Sequence, residues 1–190
     1  MHEGRLILIV GPTGSGKSAL LSHLYAQMPE IVSPVSCTTR APRPGEVSGE
    51  KYYFISKEEF EQREDRGDFL EWAVYGGNYY GTLKSEIVPA IEAGKLVVRE
   101  VEVQGARQIQ KMIPKERLSV IFINAGSWDN LEKRVRARAP ITEVELLARR
   151  KRYEDETTFM QEADVVVENP DGGLEQAKQD FIAAVQKLAA

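Results

Sequence analysis

The 190-residue chain carries 25 Lys and Arg against 29 Asp and Glu, a formal net charge of −4, with 42% hydrophobic and 28% charged residues. That length suits one α/β domain with a substantial core, and the acidic balance argues against a general nucleic-acid binder, whose affinity rests on neutralising phosphates. Cys37 is the single cysteine, which excludes an internal disulfide or a cysteine metal cluster. No apolar run approaches the ~20 residues that span a membrane. The lead from Met1 to Arg5 is too short for a signal peptide, so a cytoplasmic protein without a membrane partner is expected.

The first element is the apolar run Leu6-Ile7-Leu8-Ile9-Val10, a buried strand. Gly11-Pro12-Thr13-Gly14-Ser15-Gly16-Lys17-Ser18 follows and fits G-x-x-x-x-G-K-[ST] at every fixed position. Ala19 to Leu24 then opens a helix. Strand, glycine loop and helix are the context this motif needs to cradle a polyphosphate on backbone N–H groups and a helix N-terminus. Lys17 is placed to reach β- and γ-phosphates and Ser18 to ligate Mg²⁺. Ile31 to Thr39 reads as a second strand. Residues 40–49, rich in Pro and Gly, read as loop. Short strands are expected at 51–55 and 69–75, around a charged helix at 57–66, with a turn at Gly76-Gly77-Asn78. Further strands are expected at 95–103, 118–123 and 163–167, and helices at 84–93, 104–113, 127–138, 142–161 and 173–188. The last helix carries Leu174, Ala177, Phe181, Val185 and Leu188 on one stripe. Ser56 with Glu59, and Thr142 with Glu145, have capping-box spacing. The alternation predicts an α/β fold: a mostly parallel sheet flanked by helices, with residues 34–82 as a small insertion.

Within that insertion, Arg40 and Arg43 with the hydroxyls of Tyr52 and Tyr80 suit a second phosphate; two loop arginines alone also fit plain solvated charges. The runs Thr38-Thr39-Arg40-Ala41-Pro42-Arg43-Pro44-Gly45-Glu46, Gly49-Glu50-Lys51-Tyr52-Tyr53-Phe54, Phe69-Leu70-Glu71-Trp72 and Gly77-Asn78-Tyr79-Tyr80-Gly81 resemble guanylate kinases. The glycine loop, the Gln104-Gly105 pair and the arginines near 138 and 149 continue the match over nearly the whole chain. The resemblance implies a P-loop NTPase core (1–33, 83–126 and 153–190), a GMP-binding segment (34–82) and a helical lid (about 127–152). It implies transfer of the ATP γ-phosphoryl group to GMP, with Mg²⁺ as cofactor. Gly11 to Ser18 and Asn169 would bind ATP. Arg40, Arg43, Tyr52 and Tyr80 would hold the GMP phosphate, and Ser36, Glu71, Thr82 and Glu102 would face guanine. Ser18 and Glu100 would serve the metal, partly through water. Lys17, Arg138 and Arg149 would be catalytic.

The chemistry agrees: one carboxylate can accept both the N1–H and N2–H₂ of guanine, while O6 needs a hydroxyl donor. The other basic residues of the lid, Arg134, Arg136, Arg150 and Arg152, are expected to be solvated. Three departures from the family pattern stand out. Glu100-Val101-Glu102 replaces Asp-x-Asp, Ala139 follows Arg138 where glycine is usual, and Glu168-Asn169-Pro170-Asp171 shifts the usual Asn-Asp pair by one residue. Glu100 and Glu102, at i and i+2, are expected on one strand face. Cys37 is expected to be a small buried residue. Two other functions share these features: a kinase-like module that binds phosphopeptides, and a P-loop kinase with another phosphorylated acceptor. The intact loop argues against the first and Glu71 against the second.

Overall fold

The computed structural model describes residues 4–138 and 140–190, with only the backbone at Arg138. Strand β1 (Arg5–Val10) leads into α1 (Lys17–Gln27). Next come β2 (Ser36–Thr38), β3 (Tyr52–Phe54), α2 (Lys57–Asp65), β4 (Phe69–Tyr75), β5 (Asn78–Leu83) and α3 (Lys84–Glu92). After them lie β6 (Leu96–Glu100), α4 (Val103–Gln110), β7 (Leu118–Asn124), α5 (Trp128–Arg138), α6 (Glu143–Thr158), β8 (Val165–Glu168) and α7 (Leu174–Ala189). One sheet has the order β6-β1-β7-β8. Its strands β7 and β8 run parallel. So do β1 and β6, since Arg5 N–H donates to Lys95 O at one end and Val101 N–H to Ile9 O at the other. A second sheet has the order β3-β2-β5-β4. The expected α/β class with a parallel sheet and flanking helices is the fold observed.

By compactness the chain divides into two units, Met1–Leu6 with Ile31–Arg99 and Gln104–Leu118, and Ile7–Glu30 with Glu100–Val103 and Ser119–Ala190. In the first unit Cys37, Phe60, Phe69 and Leu83 form a buried cluster, and the Phe60 and Phe69 rings stack 4.4 Å apart. Burial pushes the Cys37 thiol up to about 11, so it is an inert core residue, as expected. In the second unit Ile7 to Val10, Leu20, Leu24, Ile121 to Ile123, Phe181 and Val185 are buried. There α7 packs on α1 and β8. Of the expected stripe on α7, Ala177, Phe181 and Val185 are fully buried, whereas Leu174 and Leu188 are only partly so.

Several expectations need correcting. The stretch 31–39 is not one strand. Val32 bridges Val97 in parallel, and Ser36–Thr38 joins the second sheet instead. Pro34 lies between them and cannot donate to a ladder. The residues after the glycine turn form a full strand, β5, paired antiparallel with both β2 and β4. Strand β6 stops at Glu100, and Glu102 precedes α4, so the two glutamates do not share a strand face. Thr142 and Glu145 make the complete capping box. At α2 Ser56 accepts from the Glu59 N–H, but the Glu59 carboxylate turns to Arg63, at 2.8 Å.

Candidate functional site

The glycine loop joins β1 to α1 in the second unit. Gly14 and Gly16 take φ of 92° and 94°, a left-handed conformation that favours glycine. Gly16 is also the N-cap of α1. A side chain at Gly11 would place Cβ 2.5 Å from the Ile123 carbonyl oxygen. Lys17 Nζ donates to the carbonyls of Gly11 at 2.6 Å and Pro12 at 3.1 Å, and lies 3.6 Å from Glu100 Oε1. The Ser15 hydroxyl is buried without a hydrogen-bond partner among the described residues. Ser18 is exposed in the first turn of α1.

Asn169 braces the loop from below. It is 3% exposed, and its Nδ2 donates to Ser15 O at 2.7 Å. Arg134 is not a solvated charge as expected. It donates to Asp171 Oδ1 at 2.9 Å and to Asn169 O at 2.8 Å, with Gly14 O at 3.5 Å. Arg136 does pair with Glu132 and Glu143, and Arg150 with Glu154. Arg149, half-buried, lines a groove with Pro12, Thr13, Tyr153 and Glu156. The side chain of Arg138, and Ala139 where glycine is usual, lie outside the described residues.

Glu156, on α6, is a residue the sequence reading missed. Burial pushes its carboxyl up to about 7; the neighbouring Glu102 carboxyl adds to the rise by charge and by a hydrogen bond, while Lys17 and Arg152 oppose it. Glu102 thus sits in the loop's surroundings. A carboxyl whose folded pKa lies above its unfolded value contributes stability at low pH, and that contribution is lost as pH rises from about 4.5 towards 7. Glu156→Gln should therefore raise the Tm of the nucleotide-free protein by about 2–4 °C at pH 8 and by less at pH 5. Thermal melts at the two pH values check this; an equal effect at both would dismiss the buried-carboxyl account.

The first unit holds the other predicted residues in two groups. Arg40 Nη2 donates to both carboxylate oxygens of Glu46, each at 2.9 Å, and its guanidinium lies 5.7 Å from the Tyr52 ring centre. The Tyr52 and Tyr80 rings meet edge to face at 5.9 Å. Glu46 also accepts from the Arg43 N–H at 2.7 Å, while Arg43 itself is exposed. The second group lies across β2, β4 and β5, where Ser36 pairs with Thr82 and Thr82 with Glu71. The Thr82 hydroxyl donates to Glu71 Oε1 at 2.5 Å, and the Ser36 and Thr82 hydroxyl oxygens lie 3.5 Å apart. Gln108 of α4 clamps the next backbone unit, accepting from Trp72 N–H at 3.1 Å and donating to Trp72 O at 3.0 Å. A Cβ on Gly105 would stand 2.8 Å from Glu71 Oε2. Arg99 reaches Ser36 from β6, another contact the sequence reading did not foresee.

The sequence profile described as guanylate kinase matches residues 3–188. A guanylate kinase of Trichormus variabilis is 47% identical over 186 residues, covering 98% of this chain and 88% of that protein. One from Rubrobacter xylanophilus is 39% identical over 190 residues, covering 100% and 97%. The crystal structure of guanylate kinase from Anaplasma phagocytophilum superposes with a TM-score of 0.75 at 26% identity, covering 98% of this chain and 86% of that one. With this profile spanning nearly every residue, the chain belongs to the guanylate kinase family.

Proposed function

We propose that this enzyme transfers the γ-phosphoryl group of ATP to GMP, giving ADP and GDP. The observation that carries the assignment of the acceptor is the Ser36–Thr82–Glu71 cluster, a carboxylate held by one hydroxyl beside a second. That set matches the edge of guanine, with two adjacent donors for Glu71 and one acceptor for a hydroxyl. Adenine presents an acceptor where guanine has N1–H and would face carboxylate repulsion. The wrong base leaves buried polar groups unpaired, so discrimination is large. Arg40, Arg43, Tyr52 and Tyr80 take the GMP phosphate, which displaces Glu46 from the Arg40 fork. Residues 34–82 are the acceptor segment, about 127–152 the lid, and the rest the core.

Gly11 to Ser18 cradle the ATP phosphates. Lys17 leaves its loop carbonyls for the β- and γ-phosphates, and Arg149, beside Pro12 and Thr13, meets the charge on the transferred group together with Arg138. Mg²⁺, when bound with ATP, neutralises phosphate charge. Ser18 and Glu100 would hold it, partly through water; they offer the oxygen donors that this cation takes. Glu102, whose carboxyl interacts with Glu156, would face guanine. Among the described residues no helix is long and apolar enough to cross a membrane. The enzyme acts in the cytoplasm on two small nucleotides, with no nucleic-acid or membrane partner. An intact glycine loop with its lysine favours catalysis over a phosphopeptide-binding role. A coupled ADP-release assay with GMP, AMP, UMP or no acceptor tests the proposal. Release is expected with GMP alone; equal rates with the other acceptors would refute the GMP assignment.

A further inference from the structure

Arg99 lies in β6, one residue before its end. Its Nη1 donates to Pro34 O at 3.2 Å, and its Nη2 donates to the Ser36 hydroxyl oxygen. Its Nε is buried with no hydrogen-bond partner among the described residues, an arrangement that calls for a reason. A guanidinium only donates. Ser36 Oγ must therefore accept from Arg99, and its own proton is left to point elsewhere. The Thr82 proton is already committed, because Glu71 Oε1 at 2.5 Å is a carboxylate acceptor. The Ser36–Thr82 separation of 3.5 Å is too long to hold the Ser36 proton firmly.

The two hydroxyls are thus not equivalent. We propose that Arg99 is a positioning residue which fixes Ser36 as the hydroxyl donor to O6 of the guanine base, while Thr82 serves to hold Glu71 and does not contact O6. The inference rests on the GMP assignment above and divides the base edge between two arms. Arg99 and Ser36 read the 6-oxo group; Thr82 and Glu71 read N1–H and N2–H₂. The positive charge behind Ser36 strengthens its hydroxyl as a donor, since hydrogen bonds in a chain polarise one another.

The test is calorimetric binding of GMP and of 6-thio-GMP, whose sulfur is a poor acceptor, to wild type, Arg99→Met, Arg99→Lys, Ser36→Ala and the Arg99→Met/Ser36→Ala double variant. Arg99→Met and Ser36→Ala should each weaken GMP about tenfold, the scale of one hydrogen bond. The double variant should be no weaker than Ser36→Ala, because the arginine acts through the serine. Arg99→Lys, which keeps a charged donor, should recover most of the loss. The KM for ATP should stay unchanged throughout. Losses that add in the double variant, or unchanged GMP affinity in Arg99→Met, overturn the proposal. If Arg99→Met does not fold, Ser36→Ala still decides: it should cost about tenfold with GMP and under about threefold with 6-thio-GMP, and equal losses overturn the assignment of O6 to Ser36. Wild-type protein that fails to bind GMP overturns the acceptor assignment and this inference together. Wild-type protein that binds GMP without these differences overturns this inference alone.

Discussion

Replacing Lys17 with alanine should lower kcat at least about 10²–10³-fold, the scale for removing one preorganised donor from charge that develops in a transition state, while GMP binding stays within about twofold. The lysine is the first residue of α1, at a helix end whose dipole favours phosphate. Its ammonium now rests on the carbonyls of Gly11 and Pro12, 2.6 and 3.1 Å away, within one side chain's swing of any phosphate in the loop. The proposed GMP contacts all belong to the other compact unit, so the acceptor should not sense the change. ADP release gives kcat, calorimetry gives GMP affinity, and thermal melts show whether the loop survives losing two hydrogen bonds. Turnover like that of the wild type would remove the donor assignment.

Glu71→Gln should reduce kcat/KM for GMP by about 2–4 kcal/mol, roughly 30- to 1000-fold, with little change for ATP. The amide can still accept from the Thr82 hydroxyl, so the cluster keeps its shape. Its other end then presents an NH₂ where the carboxylate offered an acceptor. One guanine donor is left unpaired and a charge-assisted contact is lost. Steady-state kinetics with each nucleotide varied in turn give the split. Equal shifts for GMP and ATP would mean that Glu71 acts on the fold and not on the base.

The β1–loop–α1 unit was legible because its signals are local: an apolar run, glycines at fixed spacing, then a helix. Strand β5 was not. Asn78-Tyr79-Tyr80-Gly81-Thr82-Leu83 lacks a clean alternation, and its strand character comes from pairing with β2 and β4 on both sides. Residues 31–39 looked continuous because their apolar start and the later Ser-Cys-Thr run lie close in sequence; the break is set by one proline. Ser36, Glu71 and Thr82 were found through resemblance and chemistry together, and the structure brings them within hydrogen-bonding reach. Arg99 and Arg134 escaped because a long cation that binds carbonyls and hydroxyls leaves no sequence pattern. Their partners lie as far as 65 and 120 positions away along the chain. Glu156 escaped for the same reason, since the carboxyl beside it, Glu102, belongs to a distant segment.

Gly105 is buried at the start of α4, with a backbone that any residue can adopt. Its need for glycine is one of volume: the room a methyl group would fill is where Glu71 keeps its carboxylate. On the proposed role of Glu71, part of the enzyme's choice of base would be encoded by an atom that is missing. An alanine scan, which finds determinants by trimming side chains, would add bulk at this position instead of removing it. Gly105 would then register as a steric defect, although its proposed part is in selectivity. Attempts to retarget the acceptor pocket to another purine should treat residues 71 and 105 as a single design variable, because enlarging one constrains the other.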